Sequence, residues 1–218
     1  MLVVLAIVAI LAVLSLPAVK GVLGSMDLKG AASITMAQFE LARQTASTRN
    51  LPVDLRIYTD ANTIDPNAGN VAAYRFSAVV IPASASGAAA DEFVAAPINL
   101  PGDIIYDQTV ANFSTLLNTT TSYGDANGNA RSVSNEATSA PALVANRPYV
   151  KITFLPNGTV SLLPPSGSSS VASGTWCLSL RNLHSAATTS PPAPASNYIT
   201  LVLDPGTGRA RVYQPGYQ

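Results

Sequence analysis

The stretch MLVVLAIVAILAVLSLPAV (1–19) contains no charged side chain, and only Ser15 and Pro17 interrupt its aliphatic run. Built as a helix rising about 1.5 Å per residue, it spans roughly 28 Å, close to a hydrocarbon core of about 30 Å. Leu, Ile and Val fall on every face, so such a helix has no side for water and is expected in lipid or among other apolar helices. Lys20 ends the run. A cleavable secretory signal would carry a basic start, a shorter apolar stretch and a small-residue cleavage site. This run is longer than that apolar stretch usually is, and a generic signal anchor fits its length equally well.

The residues that follow, KGVLGSMDLKGAASITMAQFELARQTASTRN (20–50), contain no proline; the next one is Pro52. Gly21, Gly24 and Gly30 each weaken a helix by up to about 1 kcal/mol relative to Ala without ending it. Ile34, Phe39, Ala42 and Ala46 recur near helical spacing, while Glu40, Arg43 and Arg49 fall elsewhere. Asn50 suits a C-cap, and Leu51-Pro52 stops a helix. The spacing predicts one helix of about 50 residues, apolar first and amphipathic afterwards, several times the ordinary globular length.

Beyond it the composition changes. Across the 218 residues there are 14 Gly and 16 Pro, which suits strands and turns better than a helical bundle. Val53–Tyr58 alternates cleanly and is expected to pair with 73–81; 103–106 is a short third strand. Tyr149–Leu155 meets 159–163 across Pro156-Asn157-Gly158, a strong turn signal. Thr175–Leu180 is another strand, and Tyr198–Leu203 closes with 209–213 across the turn 204–208. Low-complexity stretches at 84–91, 119–142, 164–174 and 185–197 are expected as surface loops, the second long enough to carry a binding role. The expected fold is α+β: a long N-terminal helix, its apolar half membrane-inserted, packed on a C-terminal antiparallel sheet. It divides into 1–50, with 1–19 as the transmembrane or assembly segment, and a β-rich periplasmic or extracellular domain, 51–218.

Chemistry-bearing residues are sparse. Twelve basic and twelve acidic residues leave zero net charge and no basic stripe for nucleic acid. The single cysteine, Cys177, sits in the apolar run Trp176-Cys177-Leu178 and reads as a small buried hydrophobe. The single histidine, His184, opens a polar loop and reads as a surface residue. One His and one Cys exclude most zinc sites. Asp125-Ala126-Asn127-Gly128-Asn129, with Glu136 further on, imitates a calcium loop, but its glycine is at the fourth position instead of the sixth. Gly206-Thr207-Gly208 lacks the Lys-Ser/Thr of a phosphate loop. The triplets at Asn112, Asn118 and Asn157 have the form of glycosylation acceptors, a pattern that arises often by chance. Asp54, Asp60, Asp91, Glu92 and Asp103 are scattered, and no spacing pairs them for acid–base work. No catalytic, cofactor or metal residues are expected, and the chain is not read as an enzyme.

The run 1–19 resembles the N-terminal segment of type IV pilins and pseudopilins just after their processing site. FELARQTASTRNLPVDLRIY (39–58) is similar to the helix-to-first-strand transition of the minor pseudopilin H/FimT-like group, through Ala42-Arg43, Ala46, Arg49-Asn50 and Pro52-Val53. The Verru_Chthon cassette D group of pilin-like proteins is a second resemblance. This implies a minor pilin or pseudopilin subunit of a type IV pilus or type II secretion-like filament, with the N-terminal methylation typical of the family. The cleavage motif and the acidic residue near the family's mature N-terminus are not among the residues from Met1 onward, which fits a late-assigned start, a trimmed sequence or a member without processing alike. Implied partners are other pilin subunits, a prepilin peptidase, a membrane platform protein and a cytoplasmic ATPase. The implied location is a bacterial inner membrane, single-pass with the β domain periplasmic, or a filament. The alternative from a different class is a signal-anchored periplasmic β domain acting as a binding module.

Overall fold

A computed structural model describes residues 2–108, 114–117, 133–162, 176–185, 188–189, 192–193 and 197–214, with helix side chains described from Gly24 onward. Helix α1 (Leu2–Arg49) leads the chain. Within it Leu28, Ala31, Ala32, Thr35, Phe39, Ala42 and Ala46 are all buried. Steps of three and four residues put them on one face. The alanines let the helix backbone come close to the strands, and Phe39 fills the remaining space against Phe154, ring centroids 6.1 Å apart. Thr35 satisfies its hydroxyl on Ala31 O at 2.8 Å and lies 3.3 Å from the Tyr106 hydroxyl. Ile34, expected in this stripe, is only partly buried at its margin. Asn50 then takes the left-handed conformation, φ 54°, which asparagine tolerates better than most residues. Pro52 follows, and the first strand starts at Val53.

The expected fold needs one correction. The class is α+β, but a long helix with an apolar membrane-inserted half is not what packs on the sheet: that part of α1 is the 26-residue stretch 24–49. Among the described residues no helix is long and apolar enough to cross a membrane. From Gly24 onward the helix has a solvent side, carrying Lys29 and Gln44, and a buried stripe opposite it. A helix so divided is stabilised by a sheet against one face, whereas lipid would surround it on all. The run 1–19, on which that expectation rested, lies outside the residues whose side chains are described.

The strands are β1 (Val53–Asp65), β2 (Val71–Ile81), β3 (Glu92–Phe93), β4 (Ile98–Asn99), β5 (Ile104–Tyr106), β6 (Ser134–Asn135), β7 (Pro148–Phe154), β8 (Val160–Ser161), β9 (Trp176–Asn182), β10 (Thr188–Thr189), β11 (Pro192–Ala193), β12 (Tyr198–Leu203) and β13 (Ala210–Tyr213). A short helix, α2 (Ala83–Ser86), follows β2. The main sheet runs β13-β12-β9-β5-β2-β1-β7-β6, with β3 and β4 also on β2 and β8 also on β7; β10 and β11 pair separately. Its pairings are antiparallel, and the three expected ladders, β1 with β2, β7 with β8 and β12 with β13, are all present. Two turns meet at one corner. Val160 N–H donates to Pro205 O at 2.8 Å. Gly208 has φ +63°, and a Cβ there would lie 2.8 Å from Gly158 O, so glycine is required both for the turn and for the approach.

Both faces of the sheet are covered. Val53, Leu55 and Ile57 join the core beneath α1, together with Trp176, Leu178, Leu180 and Leu201. Tyr58, Phe76, Ala78, Val80, Val144 and Tyr149 form a smaller cluster apart from it, on the opposite face. Of the stretch 119–142, expected as a surface loop, the described residues 133–142 are exposed or half-buried except for Glu136. Where the stretch is described, from Val133, it adds strand β6 to β7 and buries Glu136 to 5% exposure. A carboxylate is buried there because a guanidinium from β1 receives it. Residues 118–132 and 163–175, and part of 185–197, lie outside the described residues.

Candidate functional site

Strand alternation turns Asp54, Arg56 and Tyr58 away from α1, yet all three are buried. Arg56 Nη1 donates to both Glu136 oxygens, at 2.9 and 2.7 Å, and Nη2 donates to Asp91 Oδ2 at 2.6 Å. Tyr58 donates its hydroxyl to Glu136 Oε2 at 2.7 Å. The guanidinium also lies 4.7 Å from the centroid of the Tyr149 ring. Asp54 accepts from the Thr153 hydroxyl at 2.6 Å and lies 3.6 Å from Lys151 Nζ. Burial pushes the Tyr58 hydroxyl well above its ordinary pKa, and the neighbouring Glu136 adds to this. Burial opposes the charge on Arg56, but hydrogen bonds to Glu136 and Asp91 outweigh it and hold the guanidinium protonated. A proton donor held this firmly is unsuited to acid–base work. The arrangement instead fastens Asp91 and the segment from Glu136 onto β1.

A second buried ion group joins β1 to β9. Arg181 Nη2 donates to Asp65 at 2.7 and 2.6 Å, while Nε lies 3.1 Å from Asp107 Oδ1. Two other carboxylates read as scattered also find cations, Asp60 with Arg147 at 2.8 Å and Glu92 with Arg49 at 3.6 Å, and Asp103 lies 3.6 Å from the His184 imidazole. His184 is exposed, with Asp103 as its charged neighbour, and Cys177 is buried on β9, where its N–H donates to Thr115 Oγ1 at 2.8 Å. The structure therefore does not bring thiol and imidazole together.

Glu136, the last ligand position of the calcium-like pattern, is committed to Arg56 and Tyr58; Asp125 through Asn129 lie outside the described residues. Among the described residues no group of three or more His, Cys, Asp or Glu side chains could hold a metal ion. Gly206-Thr207-Gly208 forms the β12–β13 turn, where Gly206 N–H and the Thr207 hydroxyl donate to Asp204. Asn157 accepts from Thr159 N–H and hydroxyl inside its own turn. Asn112 and Asn118 lie outside the described residues.

Two features escaped sequence reading. The first is the Arg56–Glu136 pair: charged residues alternating with Val53, Leu55 and Ile57 ordinarily mark a solvated face, so the local pattern hides the burial of this one. The second is an open groove of about 510 Å³ between α1 and the final hairpin, lined by Met36, Phe39, Glu40, Arg43, Arg209 and Ala210. In it Arg43 pairs with Glu40, Nη2 to Oε1 at 2.7 Å. A smaller groove of about 340 Å³, lined by Val202, Asp204, Thr207, Arg209 and Arg211, flanks the same hairpin. No protein-family model, curated protein or solved structure matches this chain.

Proposed function

We propose that this chain is a structural subunit of a type IV pilus-like or pseudopilus-like filament, of the minor-subunit class. The observation that supports this reading is the junction at 39–58. The residues carrying the resemblance form the end of the docked helix, the left-handed turn at Asn50 and the opening of β1. In this reading the uncharged run 1–19 is the assembly segment, packing against equivalent segments of other pilin-like subunits. The sheet domain lies outside that bundle, in the periplasm or on the filament. A prepilin peptidase and an assembly ATPase with its platform protein act on the subunit.

In-cell photo-crosslinking tests this reading. A photoreactive residue replacing Leu11, introduced in the cells from which the sequence comes, is expected to give adducts with a second pilin-like chain. Adducts with lipid alone, together with absence of the chain from any filament fraction, would overturn it in favour of an anchored β-domain binding module.

A further inference from the structure

We propose that the open edge of β13 receives an extended segment of a partner protein, acidic on one face and apolar on the other, by strand addition. This goes beyond the filament reading and holds equally for an anchored β domain.

Among the described residues β13 pairs only with β12, and Arg211, Val212 and Tyr213 are exposed. Asp204 N–H donates to Arg209 O at 2.8 Å at the neck of the hairpin. Antiparallel ladders alternate, so the backbone groups of Arg211 and Tyr213 turn to β12, and those of Ala210 and Val212 turn outward. Natural sheets blunt such an edge with short strands, charged side chains, proline, a bulge or a covering element, and β13, four residues long and carrying Arg211, has the first two. Here Val212 and Tyr213 remain 50% and 54% exposed.

The side chains on either side define the occupant. Ala210 and Val212 face the same side as their partners Leu203 and Leu201, toward α1 and the groove lined by Met36 and Phe39. Apolar side chains of an added strand would enter on that side. Arg211 and Tyr213 lie on the opposite face beside Val202, and Arg209 borders both grooves. Neither Arg209 nor Arg211 forms a salt bridge among the described residues; each has a carboxylate nearby, Glu40 and Asp204, but both of these are already hydrogen-bonded within their own elements. Two arginines on a hydrogen-bonding edge favour carboxylates on the incoming strand. They also disfavour a second copy of β13, whose own arginines would come close to them.

The test uses the full chain and two synthetic peptides, acetylated Glu-Val and Lys-Val hexamers, with hydrogen exchange read over 209–214 and binding read by anisotropy. The Glu-Val peptide at about 1 mM is expected to slow exchange in that segment, and the Lys-Val peptide is not. R209E/R211E should weaken Glu-Val binding about tenfold, on the scale of two exposed charge reversals. Val212→Pro removes an outward N–H while keeping both arginines, and should also lose binding, because strand addition needs that donor. Equal binding of the two peptides, protection elsewhere, absence of protection, or insensitivity to Val212→Pro would each overturn the proposal. Peptide-independent protection that rises with protein concentration would assign the edge to a second copy instead.

Discussion

On one face of β1, Val53, Leu55 and Ile57 meet a helix; on the other, Asp54, Arg56 and Tyr58 meet ions, hydroxyls and aromatic rings. Both sets are buried to 3% exposure or less, so burial alone does not distinguish them. The difference is in what happens when a partner is removed. An apolar face loses contacts and gains a cavity, a cost that depends on how far the surroundings relax. A charged face keeps desolvated polar groups with one partner fewer to satisfy them.

Removing a partner from the charged face should therefore give the larger loss. Glu136→Ala leaves Arg56 with Asp91 at 2.6 Å and Asp54 at 3.8 Å, but strips its two bonds to Glu136 and orphans the Tyr58 hydroxyl, and is expected to cost about 3–5 kcal/mol in urea unfolding. A cost below that of a typical apolar truncation would break the comparison and show that water enters to solvate Arg56. On the helix side, Leu55→Ala is expected to cost about 2–5 kcal/mol, with an unchanged dependence on denaturant. A value at the low end would mean that α1 settles toward the sheet.

The smallest effect sharpens the contrast through pH. Burial raises the pKa of Asp91, but hydrogen bonds from Ala83 N–H and Arg56, with the Arg56 charge, more than offset it and hold the carboxyl below its usual range. A carboxylate lowered in the folded state contributes stability above its unfolded value, about pH 3.9, and loses it as pH falls toward the folded one. Asp91→Asn should flatten stability against pH below about pH 4 and leave the slope above it unchanged. Because Asp91 is part-exposed, the effect is screened and should shrink in high salt. Leu55→Ala should show the parent pH profile, shifted down as a whole.

Much of the scaffold was legible in the residues. The three- and four-residue spacing through Phe39, Ala42 and Ala46 marks the buried stripe of α1, and Asn50 with Pro52 marks its end. These signals are local: side-chain direction and backbone preference act within a turn or two. Pro156-Asn157-Gly158 and the turn 204–208 pair their strands for the same reason, since a short loop leaves its neighbours little else to pair with. The candidate docking edge was only half legible. The hairpin ending in Arg211 and Tyr213 was expected, but its place at the margin of the sheet, beside Met36 and Phe39, was not.

What the sequence determined by itself is a helix with one apolar stripe, a set of strands joined by named turns, and an opening segment without charge. Tertiary structure alone decided the strand order, the edge left open at β13, and the meetings of Arg56 with Glu136 and Arg181 with Asp65 across 80 and 116 residues. Charges so far apart in the chain carry no mutual signal along it. They become neighbours only once the ladders bring their strands together, and burial then makes each depend on the other.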